Sequence, residues 1–253
     1  MARKLQKSLR ILPNPSGEPT IMKKTLVALA AVMAAGLVPT ASYADVAFNA
    51  GVVTDYRYRG LSQTRLKPAL QGGVDYSNGA FYLGAWGSTI KWIKDAGGDA
   101  DVEIDLYGGY KTEIAKDLTL DVGGLYYAYP SNKLSPSANT FEVYGALSYG
   151  PATLKYSHST TNLFGFPDSK NSGYVDLSAT FDVAGFAVTP HIGHQKVKNN
   201  GAASYTDYSL TVAKEVMKGL TLSATIVDTD IEVISMGKDL GKASLVVGAK
   251  FAF

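Results

Sequence analysis

Apolar and polar residues alternate along Lys242–Phe253. Every second position there is apolar, at Ala243, Leu245, Val247, Ala249, Phe251 and Phe253. The positions between them are small or more polar, apart from Val246. A period of two is typical of a strand with one apolar face. In a soluble sheet this strand would be an exposed edge, whereas in a membrane barrel the last strand pairs with the first and its apolar face meets lipid.

Segments of about ten residues with a similar alternation follow one another from Asp45 onward. We predict about twelve strands, which lie near Val46–Tyr58, Ala69–Tyr76, Ala80–Ser88, Asp101–Lys111, Leu118–Tyr129, Thr140–Tyr149, Ala152–Thr160, Gly173–Val183, Phe186–Gln195, Tyr205–Glu215, Leu220–Thr229 and Lys242–Phe253. Short turns alternate with longer polar connections along this series. That layout is typical of an outer-membrane barrel, which has short turns at one end and long loops at the other.

Two places depart from the pattern. Pro190 lies in the middle of a predicted strand, where it cannot donate a ladder hydrogen bond, so we expect a bulge or a local break. Leu61–Pro68 is basic and irregular, and we assign it no element. Tyrosines near the segment ends suit the aromatic girdles of a membrane barrel; they are Tyr56, Tyr58, Tyr76, Tyr110, Tyr126, Tyr127, Tyr129, Tyr149, Tyr205 and Tyr208.

The N-terminal region has the features of a secretory signal. Met22–Lys24 is positively charged, and Thr25–Val38 is apolar and rich in alanine. The segment Pro39–Ala44 follows, in which the small residues Ser42 and Ala44 flank Tyr43. We predict a signal peptide at residues 22–44, cleaved between Ala44 and Asp45. The apolar run is too short for a membrane helix. Residues 1–21 are either an N-terminal extension or the result of a start codon assigned too early, and residues 45–253 form the barrel.

Composition and charge narrow the class of protein. The chain has no cysteine, which excludes a disulfide framework and thiolate metal sites. The mean hydropathy of +0.01 is far below that of a helical membrane protein and suits a barrel that alternates between lipid and water. Removing residues 1–44 takes six of 24 basic residues and one of 22 acids, which leaves 18 and 21 and a net charge of −3. We therefore expect no nucleic-acid partner.

Several blocks of sequence resemble a known family. The most specific are Asp55–Thr64 (DYRYRGLSQT), Pro68–Tyr76 (PALQGGVDY) and Phe81–Ser88 (FYLGAWGS). Shorter matches follow at Val102–Tyr110, Leu125–Pro130, Glu142–Tyr144 and Asp228–Asp230. Together they are similar to the TorF family of proteobacterial porins, over most of residues 45–253. The resemblance implies a Gram-negative outer-membrane barrel of the porin type, and it supplies no catalytic residues.

An outward apolar face places a set of charged residues in the barrel lumen. The predicted pore-lining residues are Asp55, Arg57, Arg59, Asp75, Glu103, Asp105, Asp121, Glu142, Lys155, Asp176, Asp207 and Lys250. Acids outnumber bases two to one in this set, which favours a mild preference for cations. Alternatively, the charges pair across the lumen and fill it. Arg57 and Arg59 could bind an anionic solute, or form an internal ladder of salt bridges with Asp75 and neighbouring acids.

An enzyme is not expected. Ser157 and Ser159 flank His158, but neighbouring residues of a strand point to opposite faces, so they form no catalytic pair with it. His191 and His194 are three residues apart and also point to opposite faces, unless Pro190 distorts the strand. The chain contains neither G-x-S-x-G nor H-E-x-x-H, and we predict no cofactor and no metal. The pairs Gly72–Gly73, Gly108–Gly109 and Gly123–Gly124 lie within strands, where they indicate barrel bends rather than phosphate loops.

The sequence therefore predicts an all-β, antiparallel outer-membrane barrel that passes small hydrophilic solutes or ions by diffusion. Other interpretations are an occluded structural or adhesive barrel, a barrel hydrolase, and a soluble periplasmic sandwich. The expected partners are outer-membrane lipid, lipopolysaccharide and the barrel-assembly machinery, which would read the aromatic pair Phe251 and Phe253. A homo-oligomer is left open.

Overall fold

The computed structural model describes Ser8–Leu9 and residues 45–253. The predicted extension and signal peptide otherwise lie outside the described residues. Twelve antiparallel strands run from Asp45 to Ala252: β1 (Asp45–Val53), β2 (Ala69–Asn78), β3 (Phe81–Thr89), β4 (Val102–Ala115), β5 (Leu118–Ala128), β6 (Thr140–Tyr149), β7 (Ala152–Ser159), β8 (Gly173–Ala179 with Phe181–Val183), β9 (Phe186–Lys196), β10 (Tyr205–Met217), β11 (Leu220–Thr229) and β12 (Ser244–Ala252).

The sheet closes on itself. Each strand pairs with its neighbours in the chain, and β12 pairs with β1 through Phe251 and Ala50. Beyond the end of β12, Phe253 and Phe48 exchange two backbone hydrogen bonds of 2.8 and 3.0 Å. The predicted twelve-stranded antiparallel barrel, with its last strand on its first, is confirmed.

The connections alternate in length, as predicted. Two-residue turns follow β2, β4, β6, β8 and β10, and the long connections span residues 54–68, 90–101, 129–139, 160–172, 197–204 and 230–243. Small elements lie within the long connections: a hairpin of Arg57–Tyr58 with Leu61–Ser62, a helix at Trp92–Asp95, a 3-10 turn at Gly201–Ala203, and a hairpin of Glu232–Ser235 with Lys238–Asp239. Ser8–Leu9 pairs in parallel with Glu232–Val233. No helix among the described residues is long and apolar enough to cross a membrane.

The outer face of the barrel is apolar and the inner face is polar. Large apolar side chains stand exposed on the outside of every strand, such as Phe81 at 65% and Leu245 at 64%. The residues that alternate with them point into the lumen. Asn49 and Asp207 are two examples, and both are buried. A soluble barrel has the opposite polarity, since its apolar side chains fill the inside.

Of the bulge or local break expected at Pro190, the structure shows the local break, since the β8–β9 ladder is interrupted opposite Pro190 without a bulge. Pro190 pairs with Leu210 in β10, and β9 is continuous from Phe186 to Lys196. The register against β8 is the same on both sides of Thr180, so Ala179 lies opposite Pro190. The missing N–H only interrupts the ladder on that side. Register shifts occur instead next to the turns, in β4 and β10.

The first strand is shorter than predicted, and several tyrosines lie elsewhere. β1 ends at Val53, and the chain then folds into the barrel. Five tyrosines assigned to the girdles are buried on the inside, namely Tyr56, Tyr58, Tyr127, Tyr129 and Tyr205. Other tyrosines of that set, among them Tyr110, Tyr149 and Tyr208, are exposed on the outer face, and for these the girdle assignment stays a prediction. Proximity to a strand end does not reveal which face of the strand a residue occupies.

Candidate functional site

A cavity of about 420 Å³ lies inside the barrel. Hydroxyl groups line it along β9, β10 and β11, including Thr189, Ser209, Thr211, Ser223 and Thr225. Seven of the twelve charged residues predicted for the lumen border this cavity: Asp55, Arg57, Arg59, Lys155, Asp176, Asp207 and Lys250. These are three acids and four bases. The charge at the cavity is therefore close to balanced.

The connection at residues 54–68, called the inward loop below, enters the lumen after β1. Asp55 organises its turn, because one carboxylate accepts hydrogen bonds from the Arg57 guanidinium at 2.5 Å, from Ser62 Oγ at 2.5 Å and from Thr64 Oγ1 at 3.0 Å. Short polar side chains that bond locally in this way stabilise turns at the expense of strands. This explains why the strand pattern stops at Val53.

Arg57 joins the inward loop to the last long connection. Its guanidinium donates to the carbonyl oxygens of Leu240 and Lys242, both at 3.1 Å, and to Ser244 Oγ at 2.7 Å. A further bond of 2.9 Å reaches the carbonyl oxygen of Gly60. A planar guanidinium supports such a fork of bonds, which a lysine could not reproduce. Arg57 is thus a structural clamp at the point where the loop leaves the wall.

Arg59 extends across the lumen to the opposite wall. It donates to both carboxylate oxygens of Glu142 in β6, at 3.1 and 2.8 Å, and to Gln195 Oε1 in β9 at 2.6 Å. β6 and β9 lie five and four strands from β1 around the sheet, so these bonds cross the barrel. The guanidinium carbon also lies 4.8 and 4.1 Å from the ring centroids of Tyr58 and Tyr174.

Burial lowers the pKa of Arg59, whereas the nearby Glu142 carboxylate raises it. The net effect is a pKa well above the usual value. The guanidinium therefore stays charged, and both side chains of the pair are almost fully buried, at 4% and 3% exposure. A buried bidentate pair of this kind fixes geometry as well as charge. The tip of the inward loop is held across the pore by this pair.

Gly60 allows the loop to pass close to the wall. Its φ is +82°, and a Cβ there would collide with Thr229 Cγ2 and lie 2.7 Å from Asp207 Cβ. A residue with a side chain would meet both the backbone strain and the collision. Glycine at this position sets the path of the inward loop along β10 and β11.

Aromatic side chains of the inward loop pack against the β3–β6 wall. The Tyr56 hydroxyl donates to Glu103 at 2.9 Å, and its ring meets Trp86 edge-on at 5.4 Å between centroids. Burial, followed by the charge of Glu103, raises the pKa of Tyr56 well above its usual value. Tyr58 meets Tyr127 edge-on at 6.2 Å. The loop thus narrows the lumen with a polar arm and an aromatic cluster.

A row of register partners crosses one part of the lumen wall on β3 to β6. It runs Tyr82, Gly109, Gly123, Tyr144. A Cβ on Gly109 would collide with the Tyr82 hydroxyl oxygen, and one on Gly123 would lie 2.6 Å from that of Tyr144. Each ring therefore covers a glycine of the wall, and the two hydroxyl groups hydrogen-bond to each other. Asp121 accepts a hydrogen bond of 2.6 Å from Tyr82.

The same arrangement recurs one row away. Tyr107 in β4 lies over its register partner Gly84, whose Cβ would come within 2.5 Å of the ring, and its hydroxyl donates to Asp75. In the glycine pairs of β4 and β5, it is Gly109 and Gly123 that accommodate the rings of Tyr82 and Tyr144. We call Tyr82, Tyr107 and Tyr144 the tyrosine floor. Lys155 joins the floor to the cavity, since its Nζ lies 4.2 Å from the Tyr144 ring centroid.

His191 lies between carboxylates on the cavity wall. Its Nε2 is 2.8 Å from Asp176 Oδ2, and its Nδ1 is 3.6 Å from Asp207 Oδ1. The Tyr174 hydroxyl also donates to Asp207 at 2.9 Å. His194 points to the outer face, as the strand period predicts. Among the described residues, no three acid or histidine side chains are arranged to hold a metal ion.

The remaining predicted pore residues lie on the walls away from the cavity. Asp75 and Asp121 bond tyrosines, Glu103 bonds Tyr56, Glu142 bonds Arg59, and Asp105 is buried beside Glu103. The arginines pair with Asp55 and Glu142 rather than with Asp75. Sequence reasoning missed Gln195 and the tyrosine floor. Inward tyrosines opposite glycines were a usable signal for the floor.

Comparison with known structures supports the fold. The KdgM porin superposes with a TM-score of 0.53 at 6% identity, covering 83% of this chain and 99% of that one. A second KdgM structure, in complex with disordered oligogalacturonate, gives the same TM-score at 7% identity and the same coverage. The NanC porin gives a TM-score of 0.51 at 12% identity, again covering 83% and 99%. At these identities the similarity establishes the barrel fold alone.

Comparison of sequences identifies the family. No curated protein matches the chain. Residues 38–253 match the model of Gcw_chp, described as a bacterial protein of unknown function. That match covers far more than half of the chain, and the chain therefore belongs to the Gcw_chp family.

Proposed function

We propose that the protein is an outer-membrane porin through which small hydrophilic solutes diffuse passively. The observation that carries this proposal is the polarity of the barrel, with exposed apolar residues outside and a polar, charged cavity inside. Such a surface is stable only in lipid, and such an interior only with water or polar solute. Export by a signal peptide at residues 22–44 and residence in the outer membrane, among phospholipid and lipopolysaccharide, belong to the same proposal.

The inward loop forms the narrow part of this pore. Its Arg59 arm crosses the lumen to β6 and β9, and its Arg57 clamp holds it to the last long connection. Solutes therefore pass beside the loop through a polar region whose charges are nearly balanced. The near balance of acidic and basic residues favours the passage of uncharged or weakly charged solutes, and it does not favour a strong preference for cations.

The fold comparisons and the sequence resemblance are consistent with this proposal. KdgM and NanC are both described as porins, and their barrels superpose over 83% of this chain. The blocks that resemble the TorF porin family include Asp55–Thr64, which is most of the inward loop. We propose no catalytic activity and no cofactor, and we propose that Phe251 and Phe253 serve recognition by the assembly machinery. Chemical cross-linking of the protein in outer membranes would show whether it forms oligomers.

Liposome swelling tests the proposal. Protein extracted from outer membranes is reconstituted into dextran-filled vesicles, which are then diluted into isosmotic arabinose, glucose, sucrose or raffinose. A porin gives swelling rates that fall steeply with solute size. An occluded structural barrel gives no swelling with any solute, although heat-modifiable migration on gels shows that it is folded. That second pattern would refute the proposal.

A further inference from the structure

His191 has a carboxylate opposite each of its two ring nitrogens. Its Nε2 lies 2.8 Å from Asp176 Oδ2, and its Nδ1 lies 3.6 Å from Asp207 Oδ1. A neutral imidazole has one N–H and one lone pair, so it would donate to one carboxylate and turn a lone pair toward the other. An imidazolium carries hydrogen on both nitrogens and can donate toward both carboxylates. The geometry therefore fits the protonated ring.

The Tyr174 hydroxyl fixes the hydrogen on one of these nitrogens. It lies 3.3 Å from His191 Nε2, but it donates its single hydrogen to Asp207 Oδ2 at 2.9 Å. It therefore has no hydrogen left for a lone pair on Nε2, and Nε2 carries the hydrogen that bonds Asp176. A second hydrogen, on Nδ1, is then the one that faces the charge of Asp207.

This site belongs to the cavity wall. His191 and both carboxylate residues border the cavity, and the side chains of His191 and Asp176 are 16% and 25% exposed. A proton on His191 therefore adds to the charge that a passing ion meets. The titratable and charged side chains around His191 come from four elements: Tyr174 and Asp176 in β8, Tyr205 and Asp207 in β10, Lys155 in β7 beside Asp176, and Arg59 in the inward loop over the Tyr174 ring.

From this geometry we infer that His191 determines the ion selectivity of the pore by holding a proton between Asp176 and Asp207. The inference rests on the proposed function for its consequence, since selectivity requires a conducting lumen. With the proton bound, the four bases and His191 give five positive groups at the cavity against three acids, and without it four remain. The pore should therefore prefer anions more strongly at acidic than at alkaline pH.

The charge of His191 can be measured without conduction, by NMR of the folded protein in detergent micelles with isotope-labelled histidine. The chain has three histidines, and His158→Gln and His194→Gln assign the third signal while leaving His191 in place. At about pH 7 we expect hydrogen on both ring nitrogens of His191, whereas His158 and His194, which contact hydroxyl and amide groups, should be mostly neutral. A neutral His191 ring at this pH would overturn the inference.

Reversal potentials in a potassium chloride gradient measure the effect on selectivity. The permeability ratio of chloride to potassium should fall about twofold from about pH 5 to about pH 9, because one partly screened unit charge leaves the cavity wall. The fall should disappear in His191→Gln. It should persist in His194→Gln, the matched control on the outer face, and in Asp207→Asn, which keeps the histidine and removes a carboxylate.

The outcomes separate this inference from the proposed function. An unchanged pH dependence in His191→Gln, or its loss in Asp207→Asn alone, would assign the titration to another group and overturn the inference. A charged His191 in a folded barrel that passes no ions would instead refute the proposed porin, and with it the effect on selectivity, while the proton site itself would stand.

Discussion

Replacing Arg59 with methionine should release the tip of the inward loop and enlarge the pore. The side chain of methionine keeps much of the length of arginine but carries no charge. The substitution removes both bonds to Glu142, the bond to Gln195, and the cation contacts with two tyrosine rings. Glu142 would then be left buried opposite an apolar group.

The size of the effect follows from the burial of the pair. Removing one partner of a buried ion pair costs about 3–5 kcal/mol, mostly because the other charge is left uncompensated. Glu142 keeps a 3.1 Å bond from the Tyr127 hydroxyl, so we expect the lower end of this range. About 3 kcal/mol shifts the equilibrium between inserted and withdrawn loop about a hundredfold toward withdrawal. The Arg57 clamp remains, so the base of the loop should stay in place.

Single-channel recording in planar bilayers measures this shift. Arg59→Met should give a larger conductance and more current noise than wild type. The double variant Arg59→Met/Glu142→Gln removes the orphan charge and should recover most of the lost stability. Lys91→Met is the control, because Lys91 forms an exposed ion pair with Asp101 in the next long connection, and its loss should leave both stability and conductance close to those of wild type. Identical conductance in Arg59→Met and wild type would refute the assignment of Arg59 to the constriction.

Three further predictions follow from particular residues. Pro190→Val should stabilise the barrel by up to about 1 kcal/mol in urea unfolding, because it supplies the missing N–H to Ala179, and a loss of stability would contradict the assignment of Pro190 to a regular strand. Gly60→Ala should withdraw the loop as Arg59→Met does, and unchanged conductance would count against the close approach to the wall. In a tenfold salt gradient the reversal potential should lie well below the ~59 mV of an ideally selective pore, since three acids and four bases border the cavity; a value near that limit would show that other charges control permeation.

The barrel itself could be predicted from the sequence because its determinants are local. A period of two decides which face of a strand is apolar, and the turn residues divide the strands from one another. Even the pairing of β12 with β1 followed from an apolar strand that has no stable place at an open edge. Of the two outcomes expected at Pro190, the local break occurs and the bulge does not, because a single missing N–H costs one ladder bond, which a strand held on both sides can lose without bulging.

The constriction could not be predicted, since its contacts join distant parts of the chain. Arg59 bonds residues 83 and 136 positions away, and neither partner differs in local pattern from other polar residues of the inner face. The charge count along the strands also differs from the count of charged residues at the cavity. Asp75, Asp121, Glu103 and Glu142 all bond wall or loop residues, so they contribute little to the cavity. The tyrosine floor could be predicted in part. The pairing of its tyrosines with glycines follows from the sequence once the register of the strands is known.

The conductance of single molecules in a planar bilayer tests the central claim most directly. Protein extracted from outer membranes, shown to be folded by heat-modifiable migration, is added to one side of the bilayer under an applied voltage. We expect discrete current steps whose size rises with salt concentration. A folded barrel that inserts and yet passes no current would contradict the proposed porin, and would mean that the inward loop closes the lumen instead of narrowing it.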